Sequence, residues 1–140
     1  EYWIEEKAYQ SKLTNRDLAR EMTEAGVKRN DDVFADSSEP KSIDEISEHG
    51  FNIKPCEKGP DSVRAGIDYL KSVKVHIVQG STNLIGEVRT YVWKKDKQDR
   101  SLPEPVKYND HAIDAVRYAI YSNKKLANSI LFIVSNEDAL

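Results

Sequence analysis

Residues 109–119 read Asn109-Asp110-His111-Ala112-Ile113-Asp114-Ala115-Val116-Arg117-Tyr118-Ala119. Small and apolar residues recur here at helical spacing, which predicts a helix that buries one face against a sheet. Asp110 and Asp114 are four residues apart, so their side chains project from the same side of that helix. Like charges at this spacing repel each other and weaken a helix. A divalent cation bound between the two acids would explain why both are present.

The acids of this helix also have interpretations that need no metal. Asp110 suits the N-cap position, where a carboxylate accepts backbone N–H groups at the positive end of the helix dipole. Asp114 could be solvated, or paired with Arg117 or Lys107. His111 lies three residues before Asp114 and projects into nearly the same sector, so it belongs to the candidate site.

The composition is that of one ordinary globular domain, spanning residues 1–140. A chain of 140 residues is long enough to bury a sizeable core. Hydrophobic residues make up 39% of it and charged residues 32%. No apolar stretch could span a membrane and no signal segment opens the chain, so no membrane partner is expected. A single cysteine, Cys56, excludes an internal disulfide and a cysteine zinc cluster, and favours the reducing cytoplasm. Because the net charge is −3, any DNA-binding surface must be a local basic patch.

Strand-like and helix-like patterns alternate along the chain, which predicts an α/β fold with some parallel pairing. The alternating segment 2–9 predicts a strand, and Thr14 with Asp17 predicts a capping box for the helix that follows. Ser42 with Glu45 predicts a second capping box. Further strands are expected near 33–35, 51–53 and 73–78, further helices from about 61 and from 81, and a hairpin from 91 to 105.

A second acid stands where α/β folds build their sites. Asp36 directly follows the apolar stretch Val33-Phe34-Ala35, which places its carboxylate at the carboxyl end of a strand. Its alternative role is to open an Asx-turn in the loop that follows. Together with the acidic helix face, Asp36 favours a site for Mg²⁺ or Mn²⁺. Such ions bind a few carboxylates and complete their coordination with water and phosphate oxygens.

The densest basic patch is predicted at the tip of the hairpin, beside Trp93. It consists of Lys94, Lys95, Lys97 and Arg100. Runs of this kind are commonly solvated hairpin tips, and the alternative is a surface that contacts the phosphates of DNA. Lys58 precedes the helix that is expected from about residue 61. It is either a loop lysine or a phosphate ligand at the N-terminus of that helix.

Several motifs occur in an order that is similar to that of a known family. They are Phe34-Ala35-Asp36-Ser37-Ser38-Glu39-Pro40-Lys41-Ser42-Ile43, Gly50-Phe51-Asn52-Ile53, Lys58-Gly59-Pro60-Asp61-Ser62-Val63, Ser81-Thr82-Asn83-Leu84-Ile85, Tyr91-Val92-Trp93-Lys94-Lys95-Asp96 and the stretch 109–119. Over residues 2–122 the chain resembles the C-terminal nuclease domain of the large subunit of tailed-bacteriophage terminases. The resemblance implies an RNase H-like mixed sheet flanked by helices, and metal-dependent cutting of concatemeric viral DNA during genome packaging.

The resemblance also implies residue roles. In the family, three acids hold two Mg²⁺ or Mn²⁺ ions, and the second and third of these acids match Asp36 and Asp114. His111 matches a residue beside the third acid, and some members have an acid at the Asp110 position. We therefore expect Asp36, Asp114 and His111 to act in catalysis, and Asp36, Asp110 and Asp114 to bind metal. Double-stranded DNA is the implied substrate, contacted by the basic hairpin and Lys58.

The family's first acid lies on an opening strand, upstream of the strand that begins here at Tyr2. We therefore expect a domain truncated at its N-terminus, with a weak or empty metal site and impaired activity. The alternative is a non-catalytic DNA-binding or docking module on the same fold. A free-standing junction or repair nuclease fits the motif order less well. In the complete protein, the resemblance implies an ATPase domain, a small terminase subunit and a portal as partners, in the host cytoplasm.

The apolar run Ile130-Leu131-Phe132-Ile133-Val134 lies after the region of resemblance. Its composition is that of a buried strand, and we expect it to pair with the strand around Ile4 in place of the missing opening strand. Glu137 and Asp138 would then approach the metal site. The alternative is a tail that covers the outer face as a helix or an edge strand.

Overall fold

A computed structural model describes residues 1–108 and 110–122, together with the backbone of residues 130–137. Within these ranges the elements are β1 (Tyr2–Ser11), α1 (Asn15–Glu24), β2 (Asp32–Ala35), α2 (Pro40–Glu48), β3 (Asn52–Pro55), α3 (Ser62–Ser72), β4 (Val75–Ile77), α4 (Thr82–Thr90), β5 (Trp93–Lys95), β6 (Ser101–Pro105), α5 (His111–Ser122) and β7 (Ile130–Glu137). The predicted α/β class is confirmed. None of the described helices has both the length and the apolar character that crossing a bilayer requires.

The described strands form three separate sheets. β1 is the centre of a three-stranded sheet with the order β4-β1-β7, in which both pairings are parallel. β2 and β3 form a second, parallel pair, and β5 and β6 form the predicted antiparallel hairpin. The parallel pairs are joined through helices, as parallel connections require.

The predicted strand after residue 129 pairs with the strand around Ile4. In β7, Ile130 lies opposite Trp3 and Leu131 opposite Ile4. The parallel register shifts by one residue between Glu6 and Ala8 and then runs to Glu137 opposite Ser11. The expected pairing of the tail with β1 is therefore confirmed, and β7 forms an edge of the described sheet. That it stands in place of an opening strand stays a prediction. The side chain of Glu137 and all of Asp138 lie outside the described residues, so their approach to the metal site stays a prediction.

Two buried clusters hold the helices in place. The first joins β1, α4 and α5 through Tyr2, Ile4, Leu84, Ala112, Ile113, Val116 and Ile120. The second joins α1, α2 and the segment before β3 through Ala19, Met22, Ile46 and Phe51. Burying an aliphatic or aromatic side chain stabilises a fold by about 1.5–3 kcal/mol. Since α5 packs against both parallel sheets and against α3 and α4, its position is fixed from several sides.

The helix starts agree only partly with the sequence pattern. Thr14 and Asp17 make the expected capping box at α1, with Asp17 N 3.1 Å from Thr14 Oγ1. The second predicted box, at Ser42, is wrong because α2 begins at Pro40, with Glu39 at the N-cap. Proline at the first helical position already has a helical φ and has no N–H to satisfy. It therefore favours a helix start here without a hydrogen bond from a capping side chain.

Candidate active site

The acids of α5 stand at the first turn of the helix. The Asp114 N–H donates to the carbonyl of Asp110 over 2.8 Å, which makes Asp110 the N-cap residue. Lys107 Nζ lies 3.4 Å from Asp110 Oδ2 and 3.6 Å from Asp114 Oδ2. Asp110 Oδ2 is buried, and within the described residues no group donates a hydrogen bond to it. A cationic group thus lies between the two acids, which offsets the repulsion that their spacing implies.

Arg117 holds the other oxygen of Asp114. Its Nη2 donates to Asp114 Oδ1 over 3.1 Å, and the arginine is only 4% exposed. Asp114 is therefore paired with both Arg117 and Lys107, as the metal-free interpretation allowed. The aliphatic part of Arg117 packs on α3 at Gly66, where an added Cβ would lie 2.7 Å from Arg117 Cγ. Glycine at 66 is thus what lets Arg117 reach Asp114.

Asp36 follows β2 and is held by two kinds of donor. Its Oδ1 accepts the N–H and the hydroxyl of Ser38, each over 2.9 Å, so the predicted Asx-turn is present. The same oxygen accepts Lys58 Nζ over 2.5 Å. Burial alone would raise the pKa of Asp36, but the hydrogen bonds from Lys58 and Ser38 outweigh it and lower the pKa to about 2. Asp36 is therefore ionised at neutral pH.

Tyr118 connects α5 to Asp36, and it lies one helical turn after Asp114. Its hydroxyl is 3.4 Å from Asp36 Oδ2, and Lys58 Nζ lies 5.7 Å from the centre of its ring. Burial, and then the negative charges of Asp114 and Asp36, raise the pKa of Tyr118. The phenol is therefore neutral, and both carboxylates are close enough to act on it. The structure thus brings Asp36 and Asp114 to a common neighbour, while His111 is the exposed first residue of α5.

The acids suit a hard divalent cation in kind. Carboxylate oxygens are the ligands that Mg²⁺ and Mn²⁺ prefer, and Asp110 Oδ2 is a buried acceptor that receives no hydrogen bond within the described residues. The acids are too few to complete the coordination of such an ion by themselves. Among the described residues, no three His, Cys, Asp or Glu side chains stand close enough together to hold a metal ion. Water or phosphate oxygens would have to supply the remaining ligands.

Glu87 is a buried acid that the sequence reasoning missed. It is 4% exposed, accepts the Tyr9 hydroxyl over 2.8 Å, and accepts the Ile113 N–H of α5 over 2.9 Å. The signal was its position three residues after Leu84, which places it on the buried face of α4. An acid on the apolar face of a helix needs partners there.

The basic hairpin is largely neutralised by its own acids. Lys94 pairs with Glu104 at 3.2 Å, Lys95 with Asp99 at 3.0 Å, and Arg100 with Asp96 at 2.8 Å. The four cations Lys94, Lys95, Lys97 and Arg100 therefore face three acids, which leaves a net charge of +1. Lys58 lies in the loop before α3, as one of its two interpretations had it, and contacts Asp36 and Tyr118.

Comparison with known proteins identifies relatives of this chain. Residues 1–122 match the family described as "Terminase RNAseH like domain". The chain is 36% identical over 97 residues to the large terminase subunit of Bacillus phage SPP1, covering 66% of this chain and 23% of the relative. It is 30% identical over 123 residues to the PBSX phage terminase large subunit of Bacillus subtilis strain 168, covering 85% and 27%. The chain thus spans about a quarter of the length of these relatives.

Two solved structures share the fold. The nuclease domain of the large terminase g2p from bacteriophage SPP1, solved with bound Mn, superposes with a TM-score of 0.71 at 32% identity. The superposition covers 79% of this chain and 64% of that one. The large terminase of the thermophilic bacteriophage D6E gives a TM-score of 0.63 at 22% identity, covering 82% and 30%. The second likeness concerns the fold alone.

Proposed function

Because this chain belongs to the terminase RNase H-like domain family, we propose that it is a metal-dependent endonuclease domain that cuts concatemeric viral DNA during packaging. Its parent would be a large terminase subunit with an ATPase domain, working with a small subunit and a portal in the host cytoplasm. The SPP1 g2p nuclease domain was solved with bound Mn. That finding supports Mg²⁺ or Mn²⁺ as the cofactor here.

The observation that carries this proposal is that α5 presents Asp110 and Asp114 to one lysine ammonium and presents Tyr118 to Asp36. Asp36, Asp110 and Asp114 would supply ligands to two divalent cations, with water or phosphate oxygens as the remaining ligands, and each acid already contacts a lysine ammonium in the structure. When bound, a divalent cation activates water and stabilises the oxygen that leaves the phosphodiester. The low pKa of Asp36 keeps its carboxylate available as a ligand at neutral pH.

The other residues of the site would orient groups and move protons. Arg117 holds the Asp114 carboxylate in place through its hydrogen bond to Oδ1. The exposed imidazole of His111, at the first position of α5, would accept a proton from the attacking water or return one to the leaving oxygen. DNA phosphates would be contacted by Lys58, which lies beside Asp36, and by the hairpin residues Lys94, Lys95, Lys97 and Arg100.

A non-catalytic DNA-binding or docking module remains the second candidate function. It is favoured by one observation, that no three potential ligands converge among the described residues. Such a module would bind duplex DNA without cutting it, and its binding would not depend on Mg²⁺ or Mn²⁺.

A cleavage assay on the 140-residue chain separates the two functions. Supercoiled plasmid is incubated with the wild type, Asp36→Asn and Asp114→Asn in Mn²⁺, with Asp68→Asn as the matched control on the exposed face of α3. We expect nicking by the wild type and the control, and its loss in the two site variants. Metal-independent DNA binding by all four proteins, without nicking by any, would establish the docking module instead.

A further inference from the structure

Two carboxylates link β1 to α5 in series through α4. Glu6 of β1 accepts the Leu84 N–H over 2.7 Å and the Asn83 side-chain amide over 2.8 Å, at the start of α4. Glu87 of α4 accepts the Ile113 N–H over 2.9 Å, at the start of α5. Leu84 and Ile113 are each the third residue of their helix, where a backbone N–H has no partner within the helix. Each helix is thus capped by a carboxylate from the preceding element in this series.

The Glu87 link lies inside the protein. Both carboxylate oxygens are used, one by the Tyr9 hydroxyl and the other by the Ile113 N–H, and Leu84 beside it is 1% exposed. Burying a carboxylate is costly unless it receives hydrogen bonds, and the positive end of a helix dipole favours its charge. The hydrogen bonding of the buried Glu87 carboxylate therefore depends on α5 standing where it does.

Glu87 also takes over a task that the N-cap residue usually performs. Asp110 occupies the N-cap of α5, but its Oδ2 accepts no hydrogen bond within the described residues. The Ile113 N–H, which an N-cap side chain would normally satisfy, is held by Glu87 instead. The Asp110 carboxylate is consequently available to face Lys107 together with Asp114.

We propose that Glu87 is a positioning residue for the acids of the cleavage site. By accepting the Ile113 N–H from α4, Glu87 fixes the position of the first turn of α5 along the helix axis and its rotation about that axis. The Asp110 carboxylate is then available to bind a cation. Tyr9 anchors the same carboxylate to β1. This inference rests on the proposed function, in which Asp110 and Asp114 hold the metal.

The test compares substitutions that keep the core filled with one that only destabilises it. Glu87→Met replaces the buried carboxylate by an apolar side chain of similar length, and so removes the acceptor of the Ile113 N–H and of the Tyr9 hydroxyl without opening a cavity. Glu87→Gln keeps one oxygen for the Ile113 N–H, and its amide can donate to the Tyr9 hydroxyl oxygen. Met22→Ala, in the second cluster, lowers stability without touching α5.

The primary readout is hydrogen exchange at the Ile113 amide in the 140-residue chain, followed by NMR. We expect exchange about 10- to 100-fold faster in Glu87→Met, the range for a lost hydrogen bond to a charged group, and little change in Glu87→Gln. Calorimetric Mn²⁺ affinity should be weaker in Glu87→Met than in Glu87→Gln. Met22→Ala should leave the Mn²⁺ affinity near that of the wild type, and should speed Ile113 exchange by no more than its loss of global stability accounts for.

Either of two results would overturn the positioning role. One is unchanged Ile113 exchange in Glu87→Met. The other is faster exchange with Mn²⁺ affinity equal to that of the wild type. A wild type that binds no Mn²⁺ and cuts no DNA would contradict the proposed function instead, and the Ile113 exchange would still decide whether Glu87 holds α5.

Discussion

Lys58 Nζ lies 2.5 Å from Asp36 Oδ1. A residue predicted to bind DNA is thus in contact with a residue predicted to bind metal. Lys58 also lies over the ring of Tyr118, whose hydroxyl points to the other oxygen of Asp36. A metal ion or a DNA phosphate arriving here would therefore change the partners of the same lysine.

Replacing Lys58 by methionine should raise the pKa of Asp36 from about 2 towards the usual value of about 3.9. The folded-state pKa lies below the unfolded one, so the pair stabilises the fold above about pH 4 and ceases to do so as the pH falls to about 2. NMR titration of the Asp36 carboxyl carbon measures the change. Lys54→Met is the matched control, because Lys54 pairs with Asp32. An Asp36 pKa that stays near 2 in Lys58→Met would contradict the assignment.

Removing the ammonium between the α5 acids should favour a metal ion at that place. In Lys107→Met, Asp110 and Asp114 lose their shared cation, so Mn²⁺ meets less competition. Because Lys107 is 67% exposed, solvent weakens its charge, and we expect affinity to tighten by about three- to tenfold. Isothermal calorimetry gives the affinity, with Lys71→Met, on α3, as control. Weaker Mn²⁺ binding in Lys107→Met would show that the two acids do not share a metal.

Gly66→Ala should destabilise the fold and disturb Asp114 at a distance. The new Cβ would lie 2.7 Å from Arg117 Cγ, and Arg117 is buried, so the arginine must shift. Overpacking of this kind costs about 1–3 kcal/mol, measurable as a lower urea midpoint. Gly86→Ala is the matched control in α4, where nothing lies within 4 Å of the added Cβ. That change should stabilise the helix by up to about 1 kcal/mol, and equal effects at both glycines would contradict the structure.

Alkaline unfolding should depend on Tyr2. Burial, and then the hydrogen bond with Tyr69, raise the pKa of Tyr2 to about 12. A raised folded-state pKa means that stability is retained below about pH 10, where the free phenol begins to ionise, and is lost as the pH rises towards 12. In Tyr2→Phe, phenolate absorbance should show one fewer late-titrating tyrosine. Tyr108→Phe, at an exposed position, should leave the late step intact.

The hairpin acids should limit the affinity for DNA. In the double variant Asp99→Asn and Glu104→Gln, Lys95 and Lys94 lose their ion-pair partners and are free to contact phosphates. Asparagine tolerates the positive φ of 62° at position 99. We expect tighter binding to duplex DNA and a steeper dependence of affinity on salt concentration, by up to about two released counterions. Binding with an unchanged salt dependence would exclude the hairpin from the DNA contact.

Local patterns in the chain were sufficient for the class of the fold and for most of its elements. Four signals correspond to observed elements: the alternation of strand and helix patterns, the Thr14 capping box, the hairpin that includes Trp93 and the apolar run from Ile130. Each depends on neighbours within a few residues, which is why short-range periodicity and capping chemistry predict it. The start of α2 at Pro40 was missed because two start signals competed within the same loop.

The candidate site depended on contacts between distant parts of the chain. The spacing of Asp110 and Asp114 was sufficient to predict that they share a helix face, because helical geometry alone requires it. Three contacts follow only from packing. Lys58 pairs with Asp36, Arg117 reaches Asp114 across Gly66, and Glu87 caps α5. Hydrogen bonds between elements far apart in sequence form only once burial has brought those elements together. No local pattern contains that information.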